Sequence, residues 1–439
     1  MRRDLLTTFL GESLLPSADQ YFGLVFCGGG PAALGPIIAA ARSGRLDALL
    51  DRGIALVEPG PVGPGGLAHY RIGANSLGGP FLEGLDGLPA DGPFAALRDL
   101  PETRLLREHA DAHPPLSVVA PFLTRLGAVV TGLLEAHPRC AVFTDRAEAV
   151  RLTADGVSVT TGAGLELTAR RAVLATGGRP LGGYADAEVV PGLDLGPHRD
   201  KVCHSSSLID ARHTPPAARG KAVVVGGSHS AWSAVDLLLA RGTDEITVLH
   251  RTGLRLFYDG AEAARADGYA FDPVLDVCPL NGRVNRYGGL RGRAHELARA
   301  ALGLAGASPA PVRLLRAGDP RDTEAAHKAL AEADVVVMAN GFEADLPPLA
   351  HADGTALVPA TGPTGTVVTD RGHLVDVHGT AHPRLLAYGL GAGLAPSADI
   401  GGEPSYTRRA DGVWLYQHDI GEIVLDDLLH EATTGETHS

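Results

Sequence analysis

The chain has little of what builds metal and thiol redox centres. Its 439 residues include only four cysteines, Cys27, Cys140, Cys203 and Cys278. No two stand in a C-x-x-C or any other close pair, so neither a zinc site nor a local redox disulfide is expected. The vicinal dithiol of a disulfide reductase is lacking for the same reason. His109-x-x-x-His113 and His378-x-x-x-His382 have the spacing of helical metal ligands. Pro114 and Gly379 break the helix that spacing needs, and no acidic third ligand stands nearby, so no metal is expected. No run of eighteen apolar residues occurs, and no membrane span is expected. Lysine occurs only at Lys201, Lys221 and Lys328, and the net charge is −13. That balance argues against nucleic acid as a partner, since such affinity comes from neutralising phosphates. After Met1-Arg2-Arg3, Glu12 interrupts the apolar stretch and no small-residue cleavage site follows. The reading is no signal peptide and a cytoplasmic location.

What is present is glycine, at two strand-to-helix junctions about two hundred residues apart. The first is Val25-Phe26-Cys27-Gly28-Gly29-Gly30-Pro31-Ala32-Ala33. Tyr21 to Phe26 reads as a buried strand, and an apolar helix follows from Pro31 towards Arg42. Gly28 permits the tight turn, Gly30 lets the backbone approach a pyrophosphate, and Ala33 allows close helix–strand packing. Pro31 fits the first helical turn because its missing N–H would be an orphan there. The helix N-terminus supplies free N–H groups to an anion. A second strand, Gly53 to Val57, ends in Glu58, whose carboxylate suits a ribose 2′-hydroxyl and repels a 2′-phosphate. The first junction is therefore expected to favour FAD or NAD over NADP, and the contrast with the second junction assigns it FAD. A Pro/Gly-rich loop follows, in which Gly66, His69, Tyr70 and Asn75 are placed near the ring. Arg171 to Gly178 reads as a strand returning to this site through Ala175-Thr176-Gly177.

The second junction is Val223-Val224-Val225-Gly226-Gly227-Ser228-His229-Ser230-Ala231. A helix is expected from about Ser230 to Ala240. The next strand, Glu245 to Leu249, ends in His250-Arg251 with no carboxylate. Arg251 can pair with a 2′-phosphate through charge-assisted bonds, so NADPH is assigned here. Ser228 stands where a glycine is usual. Asp334 to Phe342 is a second strand-to-glycine exit, through Gly341.

Between these sites the patterns are structural. Leu116 to Ala136 has helical apolar spacing. Strands are read at Cys140–Phe143, Ala149–Leu152 and Val157–Thr160, with a turn at Ala154-Asp155-Gly156. Asp411 to Glu431 reads as a terminal amphipathic helix for packing or dimerisation, so a homo-oligomer is an open expectation. The length favours two domains. The fold class is α/β, with two dinucleotide-binding, Rossmann-like domains. The NADPH domain (213–341) is inserted into an FAD domain formed by 1–212 and 342–439.

Gly28-x-Gly30-Pro31-x-x-Leu34 resembles the FAD fingerprint of the flavin-dependent lysine and ornithine N-hydroxylases, within the class B flavin monooxygenases. Gly226-Gly227-Ser228-His229-Ser230-Ala231 is similar to their NADPH turn. His204-Ser205 is similar to a pair that often precedes it. Ala339 to Pro347 is similar to the superfamily's Ala-Thr-Gly-Tyr…Leu-Pro segment. The resemblance implies NADPH reduction of FAD, then oxygenation of a nucleophile, an amine nitrogen in that subfamily, through a C4a-hydroperoxyflavin. The implied partners are molecular oxygen and a small molecule, and the implied setting is secondary metabolism. Leu386 to Leu394 replaces the superfamily's Gly-Asp ending, and Gly389, Gly391 and Leu394 are placed against the flavin. Asn75 and Asn285 are the candidate catalytic amides. Residues 257 to 302 match nothing in the family. A flavin reductase without oxygen transfer would share both fingerprints; a non-enzymatic flavin-binding protein is a third reading, against which Arg251 counts.

Overall fold

The computed structural model describes residues 21–182, 192–216, 220–304, 306, 311–362, 365–409 and 411–430. The N-terminal twenty residues and Glu431, the end of the expected terminal helix, lie outside that set.

Two sheets organise the described residues. In the larger, the parallel run Ala141–Phe143, Ile54–Val57, Tyr21–Cys27, Glu166–Leu174 continues onto Ala381–Ala387. The antiparallel meander Ala147–Leu152, Val157–Thr161 and Glu166–Leu174 extends it on one side. The smaller sheet has five parallel strands in the order Val312–Arg316, Glu245–His250, Lys221–Val225, Val335–Met338, Val202–His204. Its edge strand Val202–His204 precedes residue 213, so this unit gathers chain from ahead of the expected boundary. The strand Tyr21–Cys27 sits between its sequence successor and a much later strand, and so does Lys221–Val225. These are the positions at which such sheets reverse strand order and bind ligands.

Phe342–Ala344 and Gly178–Pro180 pair antiparallel, so the chain leaves and re-enters the larger unit through one ribbon. The smaller unit is inserted in the larger, as expected.

Ten of the twelve residues of the Pro31–Arg42 helix are buried. A helix apolar all round must be enclosed, and Asp419–Leu429, Val413–Gln417 and Leu116–Ala136 all pack on it. The terminal segment is two helices, because the backbone breaks at His418. Leu116–Ala136 is long and apolar enough by length and composition to cross a membrane. Its buried face, including Val119, Phe122, Leu123, Leu126 and Val130, packs in the core instead.

Pro36 inside the first helix cannot donate to the carbonyl of Ala32, which would stay an orphan in the core. The buried hydroxyl of Tyr388 donates to that carbonyl at 2.9 Å. This bond brings the chain's return segment onto the start of the first helix.

Candidate functional site: two glycine cradles

The two junctions have the same geometry. Gly28 has φ +99° and Gly226 φ +142°, a region that side chains disfavour. A Cβ on Gly28 would lie 2.4 Å from the carbonyl oxygen of Ala175, and one on Gly226 would lie 2.4 Å from that of Ala339. Gly28 N–H donates to Val57 O and Gly226 N–H to Leu249 O, both at 2.9 Å. Ala175 and Ala339 donate back to Cys27 and Val225. Gly30 and Ser228 are the N-caps, in extended conformation, and neither has a side-chain cap bond. The second helix starts at His229, one residue ahead of the expected Ser230. Pro31 and His229 are thus equivalent first helical residues, as are Ala33 and Ala231 within the helices. Ala33 and Ala231 are both buried.

Each cradle also holds a side-chain oxygen without a partner. Thr176 Oγ1 and Asn340 Oδ1 are buried and unbonded at the corresponding strand exits. An unpaired buried polar atom costs about 1–3 kcal/mol, which a ligand can recover.

Glu58 stands beside the first turn. Its Oε2 accepts from Gly29 N–H at 2.6 Å and its Oε1 from Gly60 N–H at 3.0 Å. A carboxylate has about four lone-pair sites, so two remain for a pair of ribose hydroxyls. In register, the residue matching Glu58 is His250, since Cys27 pairs with Val57 and Val225 with Leu249. Arg251 lies one residue further on and is exposed, and among the described residues no carboxylate forms a salt bridge with it. The imidazole Nδ1 of His250 is engaged by Thr252 O at 2.9 Å. The second strand end thus carries His250 at the position of Glu58, and the arginine is offset by one position.

The cradles differ in cover. Over the first, Gly65 lies with its Cα against Gly30, at 3.7 Å from a Cβ built there. Gly63 N–H donates to Gly29 O at 2.8 Å. Gly66 lies near the Tyr70 hydroxyl, and Gly389 meets Ala32. Burial pushes the Tyr70 phenol up, and the Asp210 carboxylate adds to it. At the second cradle Ser228 is exposed and Ser230 half-buried.

Other candidates fall elsewhere. Asn285 is 1% exposed, with φ +51°. Its Nδ2 donates to Leu256 O at 2.9 Å and Tyr269 Oη at 3.1 Å, which ties the amide nitrogen to its own loop, while its buried Oδ1 has no partner among the described residues. A Cβ on Gly391 would lie 2.1 Å from Glu343 C, so backbone crowding alone requires glycine there. Leu394 is 3% exposed within the core around the first helix, leaving only its backbone to face a ligand. Gly177 and Gly341 both have positive φ at the two exits. Asn75 is exposed, next to Ala74, whose carbonyl hydrogen-bonds His113 Nδ1 at 3.2 Å.

Sequence reading missed His229 as a functional group. Its Nε2 accepts from the Arg291 N–H at 3.1 Å. Burial, then the Arg291 and His113 charges, push its pKa down to about 3, so it is neutral at the mouth of the second cradle. Tyr388 was missed as well, although Pro36 within an apolar helix is the signal that a carbonyl there needs a donor.

No protein-family model matches the chain. The CMP-5'-(3-aminopropyl)phosphonate hydroxylase of Streptomyces rubellomurinus is 44% identical over 429 residues, covering 93% of this chain and 98% of that protein. The chain belongs to this hydroxylase family. Among solved structures, a double mutant of a flavin monooxygenase from Stenotrophomonas maltophilia is 18% identical, covers 93% of this chain and 98% of its own, and has a TM-score of 0.49. The thioredoxin reductase of T. acidophilum is 12% identical, covers 94% and 100%, and has a TM-score of 0.40. The hydroxylase relative's named compound is a nucleotide conjugate of an aminoalkylphosphonate, neither lysine nor ornithine.

Proposed function

We propose that this hydroxylase-family chain is an NADPH- and FAD-dependent monooxygenase that converts a primary amine to a hydroxylamine. The reaction balances as amine, O2, NADPH and a proton giving hydroxylamine, water and NADP+. The observation that carries the reading is the repeated cradle, with Glu58 at one strand end and Arg251 at the other. FAD fits the first: Gly28 leaves room for a diphosphate at the helix start, Thr176 Oγ1 awaits a partner, and Glu58 has free lone pairs. NADPH fits the second, where Asn340 Oδ1 is unbonded and Arg251 is exposed with no carboxylate partner among the described residues. FAD, when bound, supplies electron transfer from NADPH and the activation of oxygen. The protein's own part is to hold both dinucleotides and to keep water from the reacting centre.

The amine reading has its own support. The relative's named compound ends in a 3-aminopropyl group, a primary amine on an alkyl chain as in lysine and ornithine. We take CMP-5'-(3-aminopropyl)phosphonate as the first substrate to test. Purified enzyme with FAD, NADPH and 18O2 is expected to add one labelled oxygen per NADPH oxidised. NADPH consumption that yields only hydrogen peroxide, with every amine offered, favours the flavin reductase reading. A protein that stays colourless after FAD addition overturns both.

A further inference from the structure

Residues 253 to 292, which overlap the 257–302 stretch without a counterpart in the N-hydroxylase motifs, bridge the surroundings of both cradles. Leu256 pairs with Leu290, and Tyr258 with Val284. On one side the N–H of Arg291 reaches His229 at the start of the second cradle helix. On the other, Gly292 stands against the ring of His113, at 2.7 Å from Cγ for a Cβ built there. His113 in turn holds the loop that carries Asn75. From the return segment, the buried carboxylate of Glu403 accepts from Tyr287 N–H at 3.1 Å and Gly288 N–H at 3.2 Å.

Four arginines of this segment crowd together. Arg255 has Glu403 at 3.5 Å and Asp276 at 3.6 Å. Arg283 has Asp259 at 3.7 Å, and Arg286 has Asp419 at 3.9 Å. Among the described residues, Arg291 has no carboxylate within salt-bridge distance. Its guanidinium lies 3.8 Å from the centroid of Phe257, and that of Arg283 lies 6.0 Å from the same centroid. It donates to the Arg286 carbonyl. Burial, then the charges of Arg283 and Arg286, bring its pKa down to about 10, and the weaker pull of Asp259 and Glu403 does not restore it. It is a cation at neutral pH, half-buried and pressed by like charge. Such a group is costly unless an anion joins it. In a chain of net charge −13, a counter-ion from the ligand is the natural complement.

We propose that Arg291, with Arg283 on the same aromatic ring, receives the anionic phosphorus end of the substrate, an aminoalkylphosphonate joined to a nucleotide. A tetrahedral group with several oxygens can accept from two guanidiniums at once. The inference rests on the monooxygenase reading and gives it a substrate class. The same phosphate chemistry could come from the NADPH diphosphate, because His229 opens the second cradle helix.

The test uses FAD-loaded enzyme and two readouts. The first is the equilibrium affinity for CMP-5'-(3-aminopropyl)phosphonate, with 3-amino-1-propanol as the phosphorus-free control. The second is the NADPH concentration dependence of anaerobic flavin reduction without substrate. Arg291→Gln is expected to weaken the nucleotidyl phosphonate about 30-fold while flavin reduction by NADPH stays within about twofold. Arg291→Lys should recover part of the loss. Should Arg291→Gln fail to fold, the exposed Arg283→Gln takes its place, with an expected loss of about fivefold. Loss confined to NADPH, equal loss on both readouts, or no loss on either overturns the inference. So does wild-type enzyme that fails to bind the phosphonate. Tight phosphonate binding without oxygen insertion would sink the monooxygenase reading alone and leave the anion receptor standing.

Discussion

The two cradles share one turn and differ in what lies over it. Both place a positive-φ glycine under the carbonyl of a returning strand at the same 2.4 Å clearance. The first is roofed: Gly65 lies on Gly30, Tyr388 is bonded to Ala32, and Glu58 is tied to Gly29. The second is open, with Ser228 and Arg251 exposed. A covered cradle suits a cofactor that stays, and an open one suits a cofactor that must leave after each turnover. On the proposed assignment, the same backbone turn would hold a resident FAD and an exchanging NADPH, and the neighbours distinguish the two.

The sharpest way to break this comparison is a matched pair, Gly28→Ala and Gly226→Ala. Gly28→Ala is expected to purify without bound FAD, read by its visible absorbance. Gly226→Ala is expected to stay yellow but to lose about 100-fold or more in NADPH-driven flavin reduction. If both lose colour, or neither changes, the cradles do not hold different cofactors.

Next in size is Arg251→Ala. Removing one charge-assisted partner of a 2′-phosphate should weaken NADPH about 10- to 100-fold. NADH, which lacks that phosphate, should be unaffected. Equal losses for the two nucleotides in the reduction assay would remove Arg251 from the phosphate site.

Tyr388→Phe tests the roof. It leaves the Ala32 carbonyl unpaired beneath Pro36 and should cost about 1–3 kcal/mol in urea unfolding. It should also speed FAD release, while NADPH affinity stays as in the wild type. FAD release at the wild-type rate would show that the tether does not cover the cofactor.

The smallest effect concerns His229. Its folded pKa, about 3, lies below its ordinary 6.5. Between those values the unfolded chain binds a proton that the folded chain does not, so stability rises with pH there. The contribution is complete above pH 6.5 and is lost as pH falls towards 3. Urea midpoints of wild type and His229→Gln, measured from pH 7.5 down to 5, should converge if this holds. Parallel curves would show that His229 titrates normally.

Much of this was legible beforehand because it is local. Val25 to Ala33 and Val223 to Ala231 carry turn, cap and helix chemistry within nine residues, so the junctions and the inserted unit could be read directly. Chain order likewise placed Glu58 and Arg251 at strand ends. Other features required the folded chain. By sequence Asn285 is a candidate catalytic amide, and only the folded chain shows it buried with its nitrogen bonded to Leu256 O in its own loop. Only the folded chain shows that the Glu343 backbone itself requires glycine at Gly391. The one-residue offset between Glu58 and Arg251 depends on strand register, which spacing does not fix.

The sequence by itself determined where backbone N–H groups could gather for two diphosphates, because glycine conformations and helix starts are set by neighbours a few residues away. Only the tertiary structure decided what covers each cradle and that, among the described residues, Arg291 has no carboxylate partner. Those outcomes depend on groups from distant segments meeting, such as Tyr388 with Ala32 and Arg291 with Phe257. Burial then sets the strength of the charges involved.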